Sequence, residues 1–107
     1  MTTSEFTVHL AAVLKRYCLH HAAYDMMVAV ALDMVRRGYS AKPSIALSVG
    51  CSFQNVDLRL HRSAELFVVD ADHTPMRVTL SAEAQKLLGD INQSIAARAK
   101  SAEAAMN

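Results

Sequence analysis

The chain has 107 residues, 52% of them hydrophobic, and 11 Lys and Arg face 10 Asp and Glu for a formal net charge of +1. That size and balance fit one small globular domain over 1–107 and exclude a multidomain enzyme, a disordered tail and a polyelectrolyte. Two cysteines, Cys18 and Cys51, are far from a disulfide framework, and the start Met1-Thr2-Thr3-Ser4-Glu5 lacks the basic and apolar regions of a signal peptide, so the expected compartment is cytoplasmic.

From Ser4 to Arg37 there is no Pro or Gly, and Gly38 stands where a helix C-cap belongs, after the cationic pair Arg36-Arg37. The segment 4–37 therefore reads as helical. Phe6, Leu10, Val13, Tyr17, Tyr24, Met27, Ala31 and Val35 recur at spacings of four and three, with His20 interrupting the stripe. The polar residues fall on different sides in the two halves: Glu5, His9, Arg16 and His20 on one, His21, Asp25, Asp33 and Arg36 on another. Two readings remain, a break near Cys18 to Ala22 or one long helix that buries a different face in each half. Without a breaker residue the single helix is preferred. Met26 to Leu32 is apolar all round but shorter than the ~20 residues of a membrane span. Such a helix needs cover on two sides, which points to a homodimer with Met26, Val30 and Met34 near the subunit contact. The face left over in the first half, Phe6, Leu10, Val13, Leu14 and Tyr17, is the expected partner-binding surface.

After Tyr39-Ser40-Ala41-Lys42-Pro43 the apolar period changes to two. Ile45, Leu47 and Val49 alternate with Ser44, Ala46 and Ser48, and beyond Gly50 to Asn55, Val56, Leu58 and Leu60 alternate with Asp57, Arg59 and His61. Glu65 to Asp70 is a nearly continuous apolar run, and Met76, Val78 and Leu80 alternate with Arg77 and Thr79. Short connections make these four strands an antiparallel meander, with the register around Arg62-Ser63 left open. Ser81 caps a second helix whose stripe is Ala84, Leu87, Leu88, Ile91 and Ile95, and 96–107 is a soft, Ala-rich helical end. The expected fold class is α+β, a four-stranded antiparallel meander with a long N-terminal and a C-terminal helix on one face, in the order α-β-β-β-β-α.

Three chemical constellations stand out. Cys18, His21 and Asp25 at i, i+3 and i+7 would share one face of an unbroken helix and could offer a thiolate, an imidazole and a carboxylate to Zn²⁺, with Cys51 or His20 as a fourth ligand. Asp70, Asp72 and His73 form a second candidate metal set. They lie in Phe67-Val68-Val69-Asp70-Ala71-Asp72-His73-Thr74, an apolar strand ending in Asp-x-Asp-x-Thr, which resembles the first motif of the haloacid-dehalogenase-like phosphatases. The resemblance implies that Asp70 attacks phosphorus beside Mg²⁺ and that Asp72 serves as acid and base. That family's doubly wound parallel sheet has no place in a four-strand meander, and a hairpin turn is the competing reading of the same residues. The third set, Arg59, His61, Phe67 and Arg77, would place basic groups and one aromatic on the outer sheet face, where single-stranded nucleic acid could stack. No resemblance extends over enough of the chain to carry a function.

The function expected from the residues is a non-catalytic protein-protein interaction module, homodimeric, with an unknown protein partner. The alternative is a metal-binding protein or metal-dependent hydrolase, and third is single-stranded nucleic-acid binding. No cofactor is implied, and nucleic acid is the least expected partner at this net charge.

Overall fold

The computed structural model describes residues 2–106, with side chains through 98 and at 100. Five helices and three short strands follow in the order α1 (Thr3–Arg16), α2 (His21–Arg37), β1 (Ser40–Ala41), α3 (Lys42–Val49), α4 (Phe53–Arg62), β2 (Phe67–Asp70), β3 (Arg77–Leu80) and α5 (Ala82–Met106). The strands form one antiparallel sheet in the order β1-β3-β2. This corrects the four-stranded meander between two helices.

The long N-terminal helix is two helices. A capping box starts α1: the Glu5 amide donates to Thr2 Oγ1 at 3.1 Å and the Thr2 amide to Glu5 Oε2 at 3.4 Å. It ends in a Schellman motif, in which the Leu19 amide donates to the Leu14 carbonyl (2.9 Å) and the Cys18 amide to that of Lys15 (3.1 Å). Cys18 takes the left-handed conformation this requires, with φ 55°. Glycine, which usually supplies that conformation, is absent from the junction, so the break carries none of the usual sequence markers. Leu19, just past the turn, folds back against the Val13 and Leu14 cluster and secures it.

Two expected strands, Ser44 to Val49 and Val56 to His61, are helices. In α3 the buried residues are Ile45 and Ala46, while Leu47 is 87% exposed. In α4 they are Val56 and Leu60, one helical turn apart, while Leu58 faces outward. The alternation of large apolar residues is therefore accidental, because only the members at helical spacing are buried. The ends carry helix punctuation: Pro43 lies in the first turn of α3, Gly50 (φ 74°) follows its end, and Ser52 Oγ accepts from the Asn55 amide at 3.2 Å to cap α4.

The main core joins Met26, Met27 and Val30 of α2 to Ile45 of α3, Val56 and Leu60 of α4, and Phe67, Val78 and Leu80 of the hairpin. A second cluster, Val13 and Leu14 against Ile91, binds α1 to α5. Each fully buried side chain of this size contributes about 1.5–3 kcal/mol through removal from water. Met26 and Val30 are fully buried within the chain, and Met34 is half-buried against the same core. The three residues expected near a subunit contact are thus packed within the chain, while Leu32 and Val35 of α2 remain exposed. The soft end expected over 96–107 is helical to Met106, and its side chains beyond 100 lie outside the described residues. Among the described residues no helix is long and apolar enough to cross a membrane.

Candidate functional site

The short helices and the hairpin make a recognisable device. Between α3 and α4 lie only Gly50, Cys51 and Ser52, a helix-turn-helix, and the β2–β3 hairpin follows directly after α4. Val56 and Leu60 seat α4 in the core. Its opposite face carries Gln54, Asn55, Leu58, His61 and Arg62, all exposed. None of these side chains is tied up in a hydrogen bond or ion pair with another described residue. One flank of α4 is fastened to α3 by the Lys42–Asp57 ion pair. The other flank carries Arg59, half-buried.

The base of this device hangs on one buried carboxylate. Asp33, near the end of α2, is 7% exposed and accepts from Ser40 Oγ (2.7 Å) and Ser44 Oγ (2.6 Å), joining α2 to β1 and α3. Arg37 lies 3.9 Å from the same oxygen. Burial raises its pKa, but the hydroxyls of Ser44 and Ser40 and the charges of Arg37 and Arg36 outweigh that effect and hold the carboxyl below its ordinary value. Beside it Tyr39 is held by two guanidiniums: Arg77 of β3 at 4.0 Å and Arg37 at 4.9 Å from the ring centroid, while Arg37 Nε donates to the Tyr39 carbonyl at 3.1 Å. The start of β3 and the end of α2 are thereby locked together.

At the hairpin tip, Asp70 Oδ1 accepts the Asp72 amide at 3.0 Å and Asp70 Oδ2 lies 3.4 Å from His73 Nε2. These are the bonds of a turn that stabilises itself. The hairpin is antiparallel, with Phe67 opposite Leu80 and Asp70 opposite Arg77, and β2 is its edge strand, with Val68 and Val69 exposed. The parallel sheet implied by the phosphatase-like motif is not the setting of Asp70 and Asp72.

The other sequence candidates disperse. Cys18 lies in the turn before α2, outside any helix, so the face it was to share with His21 and Asp25 does not form. Cys51 lies in the α3–α4 turn. Among the described residues no group of three His, Cys, Asp or Glu is placed to hold a metal ion. Of the outer-sheet set, Arg59 and His61 are on α4, Phe67 is buried in the core and Arg77 stacks on Tyr39, so they share no sheet face. Of the partner-binding set, Val13 and Leu14 are buried against α5, Leu10 and Tyr17 are half-buried beside them, and Phe6 is exposed. Reading α4 as a strand hid Gln54, Asn55, Leu58 and Arg62. The signal that could have found them is Ser52 as an N-cap followed by buried residues four apart.

No family model and no curated protein sequence matches the chain. Solved structures do. Transcriptional regulator Tm0710 from Thermotoga maritima is 10% identical with a TM-score of 0.76, over 96% of this chain and 73% of that one. A mutant of MepR from S. aureus is 12% identical with a TM-score of 0.77, over 98% of this chain and 78% of that one. NadR in complex with 4-hydroxyphenylacetate is 16% identical with a TM-score of 0.74, over 97% and 74%. At such identities the likeness establishes the fold alone, a winged helix with the β2–β3 hairpin as its wing. The expected interaction module, its metal-dependent and outer-sheet alternatives, and the ranking of nucleic acid as the least expected partner are overturned, each on its own ground. Val13 and Leu14 of the expected partner surface are buried, the Cys18, His21 and Asp25 set needed an unbroken helix, the outer-sheet set needed strands where α4 stands, and net charge carries no information on a helix-turn-helix, an architecture shared with a transcriptional regulator.

Proposed function

We propose that this chain is a DNA-binding transcriptional regulator that lays α4 in the major groove of duplex DNA. The observation that carries the reading is the outward face of α4, whose polar side chains are exposed and unengaged at the end of a helix-turn-helix. Its residue types match the donor and acceptor code of the groove: Asn55 and Gln54 suit adenine, and Leu58 suits the thymine methyl. The helix-turn-helix and wing, 40–80, carry Lys42, Arg59, Arg62 and Arg77 against Asp57, Glu65, Asp70 and Asp72. This balance supports binding that depends more on base contacts than on bulk charge.

Two copies would act together. The exposed Phe6 and Val8 and half-buried Leu10 of α1 lie on the α1 and α5 part of the molecule, away from the α4 core, and suit a twofold contact. Such a dimer would present its two α4 helices to half-sites about one DNA turn apart, roughly 34 Å. The compartment that goes with this reading is the one holding the DNA, the cytoplasm in a cell without a nucleus.

Selection of bound duplexes from a randomised pool, followed by fluorescence anisotropy, tests the proposal. A preferred site is expected, and Asn55→Ala and Gln54→Ala should each relax discrimination at one position by about 1–3 kcal/mol. Absence of duplex binding at low salt, or selectivity unchanged in both variants, refutes it.

A further inference from the structure

On the flank of α4 away from Lys42 lies an open cleft of about 730 Å³, bounded by the start of α2 and the C-terminal half of α4. His20 and His21 enter it from one side, Arg59 and Arg62 from the other, with Ser63 at the end, and no carboxylate is among its lining residues. In a chain of net charge +1, two guanidiniums facing two imidazoles across one concavity without a carboxylate are a local excess of positive charge and hydrogen-bonding nitrogens, which a cleft focuses further. Among the described residues neither Arg59 nor Arg62 has a carboxylate within ion-pair distance.

The backbone adds to this. His20 stands at the N-cap of α2 without a side-chain cap, and the first turn holds no acidic residue. Ala22 and Ala23, which also line the cleft, are in that turn, where amide N–H groups have no acceptor within the helix. The helix dipole acts in the same direction.

We infer that this cleft is a seat for a phosphoryl oxyanion, held by the Arg59 and Arg62 guanidiniums and the His20 and His21 rings over the first turn of α2. A guanidinium fork fits two phosphoryl oxygens, and amide donors at a helix start fit the remainder. The seat deepens the DNA-binding reading if the oxyanion is a backbone phosphate bordering the groove that α4 enters. The same chemistry would accept the phosphate of a small phosphorylated ligand.

The test is titration of the purified chain with inorganic phosphate, followed by amide NMR shifts and controlled with chloride at equal ionic strength. Saturable shifts at 20–23 are expected, abolished by Arg59→Gln and weakened several-fold by Arg62→Ala. The second variant alters an exposed residue and keeps the test valid if the first fails to fold. Absence of saturable phosphate shifts in the folded wild-type chain overturns the seat. A duplex arm identifies the source. If Arg59→Gln lowers affinity for all sequences alike and reduces the slope of log K against log salt by about 0.9, the occupant is a DNA phosphate. If phosphate shifts occur and the slope is unchanged, the occupant is a small phosphorylated ligand. If the wild-type chain binds no duplex, the DNA reading fails while the phosphate titration still decides the seat.

Discussion

Helix α4, the proposed recognition helix, and the wing are rooted in one core, α4 through Val56 and Leu60 and the hairpin through Phe67, Val78 and Leu80, yet they offer opposite chemistry. Along the outward face of α4 the exposed groups are amides, an imidazole, an apolar side chain and a guanidinium, with Arg59 on one flank and Asp57, paired with Lys42, on the other. At the wing the tip carries Asp70 and Asp72, and Asp70 is bonded within its own turn. Arg77, the cation of the hairpin strands, stands opposite Asp70 and is stacked on Tyr39. A shared fold thus says where two elements stand and nothing about what each attracts. If the chain binds DNA as proposed, the affinity must come from α4 and its basic flank, because the wing tip opposes it.

The largest way to break this comparison is to remove the group that positions both elements. Asp33 holds Ser40, in the strand paired with β3, and Ser44, in the helix that seats α4. Asp33→Ala leaves those hydroxyls without their acceptor and should lower stability by about 2–3 kcal/mol, read as a lower urea midpoint at unchanged m-value. The pH dependence has a definite sign. Because the folded carboxyl titrates below the ordinary 3.8, its contribution is fully present above that pH and is lost as pH falls through the folded value. Wild type should therefore lose stability relative to the variant below pH ~4, and a constant difference between them down to pH 2 would contradict the assignment.

A smaller change sharpens the comparison. Asp70→Asn together with Asp72→Asn keeps an acceptor for the turn while removing two negative charges from the wing. Duplex affinity should rise about fivefold at low salt, and the gain should fade as salt screens it. No gain, or a loss, would show that the wing stays clear of the DNA.

The smallest expected effect serves as a control. Cys18→Gly relieves the left-handed conformation at the α1–α2 junction and should add about 1 kcal/mol, measured as a raised Tm. Affinity for DNA should be unchanged, since the substitution touches neither α4 nor the wing.

The elements differ in how legible they are in the sequence, for physical reasons. The hairpin and the helix after Ser81 can be read because 67–80 carries a strand period with turn residues between, and Ser81 caps a long stripe. The helix-turn-helix cannot be read from period alone. Helices of eight and ten residues expose too few turns to separate period 3.6 from period two, and Leu47 and Leu58, both exposed, complete a false alternation. Pro43, Gly50 and Ser52 carry the correct signal, as end markers independent of hydrophobicity. The α1–α2 break is hidden differently, since a cysteine occupies the position where glycine would have announced it. Of the site itself, Arg59 and His61 can be picked out as basic residues, but the groups beside them on α4 emerge only once the segment is helical.

The carboxylates at the wing tip have another consequence. Beyond β2 no further strand is paired among the described residues, and Val68 and Val69 are exposed there, which makes a template for strand-to-strand aggregation between molecules. Asp70 and Asp72 cap the end of that edge with like charge, the arrangement by which proteins keep such edges apart. Neutralising them to strengthen the proposed DNA binding would therefore remove a colloidal safeguard, and a variant without those charges would be the one most prone to precipitate.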